Sequence, residues 1–574
     1  MHGALDVIDA IGTHAPGRPQ LLPLDRVAPK AALLLFIGAL GYLTVVPLVR
    51  LQVRALEHGG HAYGVAFREP GIWTTVATTV ELALGSLAIA LVLGTGLAWA
   101  ATTLSPRLRL LRIVPILPIV VPAVASVLGW TFLFSPHPGY LNQLLRHLPW
   151  WSHQYNGPVD IYTVPWIIII LGLALTAFIY LFVSAGLENI SAELLEAAQV
   201  GGSSQLGVFF RVTLPLLRPA LVYGAGVGLL LGLGQFTGPL LLGRAHNINV
   251  LTTQMFFATQ QIPPQYDIAS ALGSPLLLFG LAVLVLNRFL LGDHSRFVTH
   301  AGRSFRSGAR SSKLGTAAIV TYGVVATALP IVGLVLVAVS KFWTGSLHPS
   351  QFTLVNFHTI FDDPTIRKGI RTSVVTSAIA IAIALPAGYI AASFLRRRKE
   401  HRIARPILDF VVAMPLSIPA VIFGVGFLFT YTNEPFVLYG TKWVFILVYV
   451  TLMIPFSTRM QLSGMVALGD TYAEASRVAG GGLIRTNLTI LAPLLRATFG
   501  GAVALMFILL ANEFAASLLV RSPTTQVMGT ALYDYFGNGL YPQVACVALV
   551  MIGVTGAGVL LAIAVGGSDI FNKL

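Results

Sequence analysis

Charge is what this sequence most lacks. Of its 574 residues only 10% are Asp, Glu, Lys or Arg, while 55% are hydrophobic. Soluble domains carry about 25% charged residues, so a water-soluble protein of this length is excluded and an integral membrane protein remains. Cysteine is nearly missing too. Cys546 stands alone in the apolar run VACVALVMIG, which excludes a disulfide scaffold and any cysteine-based metal site. Acidic residues number 22 against 36 basic ones, giving a net charge of +14. A nucleic-acid partner would need those basic residues clustered on a soluble face, but they fall between apolar runs. None of the lysines follows a glycine, so a phosphate-binding Gly-Lys-Ser/Thr loop is missing and the chain is expected to hydrolyse no nucleotide. The first 30 residues contain Pro16, Pro19, Pro23 and Pro29 without a short apolar core, and no signal peptide is expected.

What is present is a series of twelve apolar runs, roughly 31–51, 75–102, 113–135, 162–184, 215–243, 268–291, 316–341, 372–395, 407–430, 441–463, 495–520 and 543–565. Each suits a bilayer core that takes about 20 apolar residues. They are continuously apolar rather than alternating, which selects helices over barrel strands. The expected class is an all-α polytopic membrane protein of about twelve transmembrane helices. Most of the basic residues fall on one side if both termini are cytoplasmic, which is the orientation that the positive-inside rule favours. The densest clusters are Arg396, Arg397, Arg398, Lys399, Arg402 and Arg405, and Arg288, Arg296, Arg303, Arg306, Arg310 and Lys313. Topological retention and attraction to anionic lipid account for both.

The chain repeats itself. EAAQVGGSSQLGVFFRVTLPLLRP at 196–219 aligns with EASRVAGGGLIRTNLTILAPLLRA at 474–497. A constant offset brings Glu196 onto Glu474, Gly202 onto Gly480, Pro215 onto Pro493, Phe236 onto Phe514 and Thr252 onto Thr530. Upstream, Pro118 and Pro122 match Pro415 and Pro419. The expected organisation is a first six-helix repeat at 1–287, a basic cytoplasmic linker at 288–313 and a second repeat at 314–574. An even number of spans per copy makes the repeats parallel, with a pathway between them.

In each copy the block at 196–215 or 474–493 lies between the fourth and fifth spans. Small residues after the glutamate permit close approach, and Gly202 and Gly480 permit a sharp turn between two short helices. Pro215 and Pro493 suit the first turn of the next span. This block resembles the EAA loop of the permease subunits of binding-protein-dependent ABC importers. The resemblance covers nearly the whole chain, twice. It implies that Glu196, Ala197, Ala198 and Gly202, with Glu474, Ala475, Ser476 and Gly480, contact two copies of a separate ATPase subunit. ATP and magnesium would reside on that partner, and no cofactor is expected in this chain. It also implies an extracytoplasmic substrate-binding protein and residence in the bacterial inner membrane. Ser476 replaces the alanine of the pattern, and Ala492 stands where the first copy has Leu214, so the two ATPase contacts are expected to differ in strength.

The fused two-half form further resembles the ferric-iron group of importers, through LTTQMFF, PPQYDIASAL and GLYPQVACVAL. Relatives carry thiamine, polyamines or phosphonates. A proton- or ion-coupled secondary transporter of six plus six helices is the alternative, with Glu513 as its proton site. A membrane enzyme would need clustered acid, base or metal ligands at one face, and none is apparent.

Few polar residues interrupt the spans. Glu513 sits within ILLANEFAASLLV and aligns with Gln235. An ionised carboxylate there costs on the order of 3 kcal/mol. Gln235, Phe236, Asn512, Glu513 and Phe514 are therefore candidates for lining the pathway, with an interhelical hydrogen bond as the structural alternative. Glu81 lies nearer a membrane surface. Pro115, Pro118, Pro122, Pro415 and Pro419 are expected to kink the third and ninth spans, mainly for packing. His137, His147, His153 and His246 fall on expected external loops at spacings that suit no metal site.

Overall fold

The computed structural model describes residues 23–151, 155–188, 190–291, 312–345, 348–396 and 403–566. The N-terminal arm, His153, linker residues 292–311, the cluster Arg397, Arg398, Lys399 and Arg402, and the C-terminal tail lie outside the described residues. So do the side chains of Glu196 and Arg288.

Among the described residues the chain is helical, with two isolated β-bridges and no strand. Nine helices are long and apolar enough to cross a bilayer, or twelve if each of three bent pairs is one span. The twelve expected positions are all occupied. The straight members in the first half include Ile72–Thr102, Val164–Glu188 and Tyr266–Leu286, and in the second half Pro364–Arg396, Lys442–Leu468 and Tyr541–Ala562. The first helix, Ala31–Ala66, outruns its expected length. It turns at Glu57–Gly60, where Gly59 and Gly60 take left-handed conformations.

The third and ninth spans are broken rather than kinked. Pro106–Val120 and Ala123–Phe134 meet at 91°, and Ala404–Ser417 and Ala420–Tyr431 at 108°. A proline drives its predecessor out of the helical region. Val121 and Ile418 are accordingly extended (ψ 123° and 130°), and Pro122 and Pro419 follow at ψ 134° and 138°. Two successive extended residues suffice to turn the chain.

These broken spans join the halves. Ala420–Tyr431 packs against the first helix of the opposite half, and Ala123–Phe134 packs against Leu329–Ala338, the end of the second half's first span. Each contact is a glycine against a backbone carbonyl beside a proline. A Cβ added to Gly426 would lie 2.6 Å from the Pro47 carbonyl oxygen, and one on Gly129 would collide with the Pro330 carbonyl. Small residues that let backbones touch are the usual means of helix association in lipid.

Several loop arginines have structural partners. The Arg112 and Arg405 Nε atoms donate to the carbonyls of Ala101 and Leu395 (3.1 and 3.0 Å), near the ends of the preceding helices. Arg396 pairs with Asp470 at 2.9 Å, and Arg459 with Asp409 at 2.8 Å. Arg112, Arg405 and Arg396 thus hold helix ends, and Arg459 ties two helices together, roles beyond topological retention.

Replacing Gly129 or Gly426 by leucine is expected to destabilise the protein by about 1–3 kcal/mol or more, because the obstructing atoms are backbone. Gly96→Leu, with nothing within 4 Å of the added Cβ, should leave thermal unfolding in detergent unchanged. Equal melting of all three variants would contradict the packing described.

Candidate functional site

Each conserved-offset block folds as an elbow. The helices Ala192–Val200 and Thr471–Val478 end at left-handed glycines, Gly202 at φ 83° and Gly480 at φ 79°. The closing bonds correspond in the two copies: the Ser203 amide donates to the Ala198 carbonyl at 3.1 Å, and the Gly481 amide to the Ser476 carbonyl at 2.8 Å. Such bonds satisfy carbonyls that a helix end leaves open. A single π-helical turn follows in each copy, Phe209–Thr213 and Asn487–Leu491. Pro215 and Pro493 come next, and the chain bends into Arg218–Leu233 and Arg496–Ala511 only at Leu217 and Leu495. The prolines thus precede the bend rather than open the span.

Glu474, Ala475, Gly480, Ala197 and Gly202 are exposed, Ala198 is half-buried and Ser476 is buried. Ser476 explains its departure from alanine. Its hydroxyl lies 2.7 Å from that of Thr486, whereas the aligned residues in the first copy, Ala198 and Val208, lie in one apolar cluster. One elbow is closed by a hydrogen bond and the other by hydrocarbon. The second elbow is also held by Arg396–Asp470 and by the Tyr389 hydroxyl on Asn487 at 2.9 Å; in the first, Trp99 packs on Phe209 at 5.0 Å. Nothing in the structure distinguishes Ala492 from Leu214 in a comparable way.

Sequence reading missed the apolar knobs of these elbows. Val200 and Val478 occupy aligned positions and are 89% and 92% exposed. Leu194 with Tyr472, and Leu206 with Ile484, are likewise aligned and exposed. Exposed apolar side chains therefore recur in register on both elbows. The repeat offset, applied to apolar as well as polar positions, would have found them.

Of the five pathway candidates the structure brings three to the junction of the halves. Gln235 and Glu513 lie in breaks that separate Arg218–Leu233 from Thr237–Leu242 and Arg496–Ala511 from Ala515–Val520. Phe236 and Phe514, the next residues, are both buried, with ring centroids 5.9 Å apart across the halves. The Asn512 amide nitrogen donates to the Ile119 carbonyl of the opposite half at 3.0 Å. Its counterpart Gly234 approaches Pro419.

Glu513 serves its own half. Its carboxylate accepts the amides of Ala516 and Ser517 at 2.8 and 3.0 Å and the Ser517 hydroxyl at 2.5 Å. The Tyr449 hydroxyl lies 2.9 Å from that of Ser517. This carboxylate caps the short helix that follows the break, where the helix dipole favours negative charge. At Gln235 it is the backbone carbonyl that accepts instead, from the Thr252 hydroxyl at 2.5 Å. Glu81 is exposed on Ile72–Thr102. His246 pairs with Asp160 at 2.9 Å and the His137 ring nitrogen meets the Tyr155 carbonyl at 2.9 Å. Among the described residues no three His, Cys, Asp or Glu side chains group as metal ligands.

The described residues form a polytopic all-α membrane protein with a duplicated elbow. Residues 86–292 match the family of the binding-protein-dependent transport system inner membrane component. A putative ferric transport system permease of Haemophilus influenzae is 25% identical over 76% of this chain and 69% of its own length. A ferric transport system permease of Actinobacillus pleuropneumoniae is 24% identical over 79% and 65%. The thiamine transport system permease of Brucella suis is 24% identical over 94% and 97%. A bacterial ABC transporter involved in importing the acidic polysaccharide alginate aligns with 43% of this chain and 91% of its own at 16% identity and a TM-score of 0.36, too weak a likeness to support any conclusion. Residues 86–292 thus match the inner membrane component of binding-protein-dependent transport systems, and the chain as a whole is similar to permeases of such systems.

Thr486→Val is expected to destabilise the second elbow by about 1–3 kcal/mol, because it strands the buried Ser476 hydroxyl. Ser476→Ala should cost less, since Thr486 keeps its bond to the Gly482 carbonyl. The double variant, which reproduces the Ala198–Val208 pair, should recover most of the loss. Additive losses in a chemical-unfolding cycle would refute the pairing.

Proposed function

We propose that this protein forms the substrate pathway of an ATP-driven importer, that its two elbows face the cytoplasm, and that each docks one copy of an ATPase subunit supplied as a separate chain. The supporting observation is the pair of elbows. They present matched apolar knobs on two exposed helices, at positions related by the same repeat that relates the two bundles. A partner acting on both halves meets nearly the same surface twice. Burying a valine contributes about 1.5–3 kcal/mol, so the knobs supply grip, and the glycine-ended helices supply a rigid shape to pull. Polar braces in one elbow and apolar ones in the other make the two contacts unequal in stiffness.

An extracytoplasmic binding protein delivers the substrate to the face opposite the elbows. Ferric iron is the substrate we favour, supported by the two ferric transport permeases among the relatives. Thiamine is the second reading, because the Brucella relative aligns over nearly the whole of both chains. On either reading this chain performs no covalent chemistry. Its residues shape and gate a passage, and selectivity resides largely in the binding protein.

Val200→Asp and Val478→Asp should each weaken co-purification of the ATPase by roughly tenfold or more, as loss of about 1.5–3 kcal/mol implies, and the pair together should abolish it. Both positions are exposed, so insertion and folding should be unaffected. Undiminished ATPase recovery with the double variant would overturn the docking site. For the substrate, radiolabelled ferric iron and thiamine uptake should be compared in cells with and without the gene. Loss of iron uptake alone is the expected result, and loss of thiamine uptake alone would replace the iron reading.

A further inference from the structure

The junction of the halves contains four aromatic side chains that close on one another in a ring. Phe236 packs on Phe256 at 5.7 Å between centroids, Phe256 on Tyr533 at 6.1 Å, Tyr533 on Phe514 at 6.0 Å, and Phe514 back on Phe236 at 5.9 Å. Each half contributes two members. One, Phe236 or Phe514, stands at the helix break; the other is carried by a short helix beyond it, Leu251–Gln260 or Met528–Gly537. Phe236, Phe256 and Phe514 are each 2% exposed and Tyr533 is half-buried, so three of the four rings are closed off from solvent.

The connections within a half are firm. Thr252 on the first short helix donates to the Gln235 carbonyl in the break. In the second half Arg521 holds Tyr533 in place: its guanidinium lies 5.8 Å over the tyrosine ring and pairs with Asp534 at 2.5 Å, and Gln526 donates to the same carboxylate at 2.9 Å. The two contacts between halves, Phe236–Phe514 and Phe256–Tyr533, are ring against ring with no hydrogen bond. Neither ring contact itself breaks a hydrogen bond when it parts, the Asn512 amide on the Ile119 carbonyl being the neighbouring polar contact between the halves, while the intra-half braces keep each pair of rings together.

We propose that Phe236, Phe256, Phe514 and Tyr533 form the seal that closes the pathway toward the face opposite the elbows, opening along the two inter-half contacts, and that Arg521 with Asp534 is the positioning pair that holds Tyr533 in the seal. The proposal rests on the pathway and orientation given above, but it requires no particular substrate. Its residues differ between the halves: Phe256 aligns with Asp534 and Tyr533 with Met255, so the ring is completed by non-equivalent positions.

The buried Cys546 is replaced by alanine, and a probe cysteine is placed at Gln235, on the elbow side of the ring. The full-length protein is treated with a membrane-impermeant maleimide in right-side-out and in inside-out vesicles. Asn538→Cys, exposed beyond the ring, reports which side lies opposite the elbows. From that side, Gln235→Cys is expected to label at least tenfold more slowly than Asn538→Cys. Phe256→Ala or Tyr533→Ala should raise the rate at Gln235→Cys severalfold. Arg521→Gln should raise it less, and Tyr533→Phe and Phe257→Ala should leave it unchanged. A cross-link between cysteines at 256 and 533 should hold the rate at its low value when ATP and ATPase are supplied. Fast labelling with the ring intact, or a rate that neither alanine variant changes, overturns the proposal. Labelling of Asn538→Cys from the cytoplasmic side would instead overturn the orientation, and the seal is then read from that side. Two independent ring variants guard against failure of either one to insert.

Discussion

In a bilayer, apolar helices gain nothing by leaving lipid for one another, so they adhere only where their backbones can come close. The whole assembly depends on that constraint being met twice at the contact between halves. Gly426 lies on the Pro47 carbonyl and Gly129 on the Pro330 carbonyl, so the first span of each half is committed to the broken span of the other. The breaks at Pro122 and Pro419 make this possible, because an unbroken helix would not present its second segment to the opposite half. With the halves exchanged in this way, the two interrupted spans meet ring against ring at Phe236 and Phe514.

The halves keep a common geometry while differing in chemistry. One elbow turns on Ala198 and Val208, the other on Ser476 and Thr486. One central break is held by a threonine hydroxyl on a carbonyl, the other by a carboxylate on two amides. Each solution satisfies the backbone groups that an interrupted helix leaves open. Fusion into one chain gives each half a single fixed neighbour, so a change on one side can be matched by a different change on the other.

This divergence also sets the limit of what a reading by alignment can find. The duplicated block, the even number of spans and Phe236 opposite Phe514 were all visible as matched positions. Val200 and Val478 were visible in the same way, but valine in a loop carries no signal until its exposure is known. Phe256 and Tyr533 have no aromatic counterparts at their aligned positions, so no symmetry argument reaches them. Glu513 was visible as an anomaly, and its partners were not: only the structure shows that its carboxylate meets the Ala516 and Ser517 amides.

By itself the sequence determined the solvent, the helical class, the duplication and the place of the elbows. Each of those follows from local properties, namely apolar length, periodicity and the conformational demands of glycine and proline. Only the tertiary structure decided that the chain breaks sharply at the prolines, that the first spans are exchanged, and which four rings meet. Those features depend on contacts between residues hundreds of positions apart, such as Asn512 with Ile119, whose energies come from shape and close approach rather than from any local pattern.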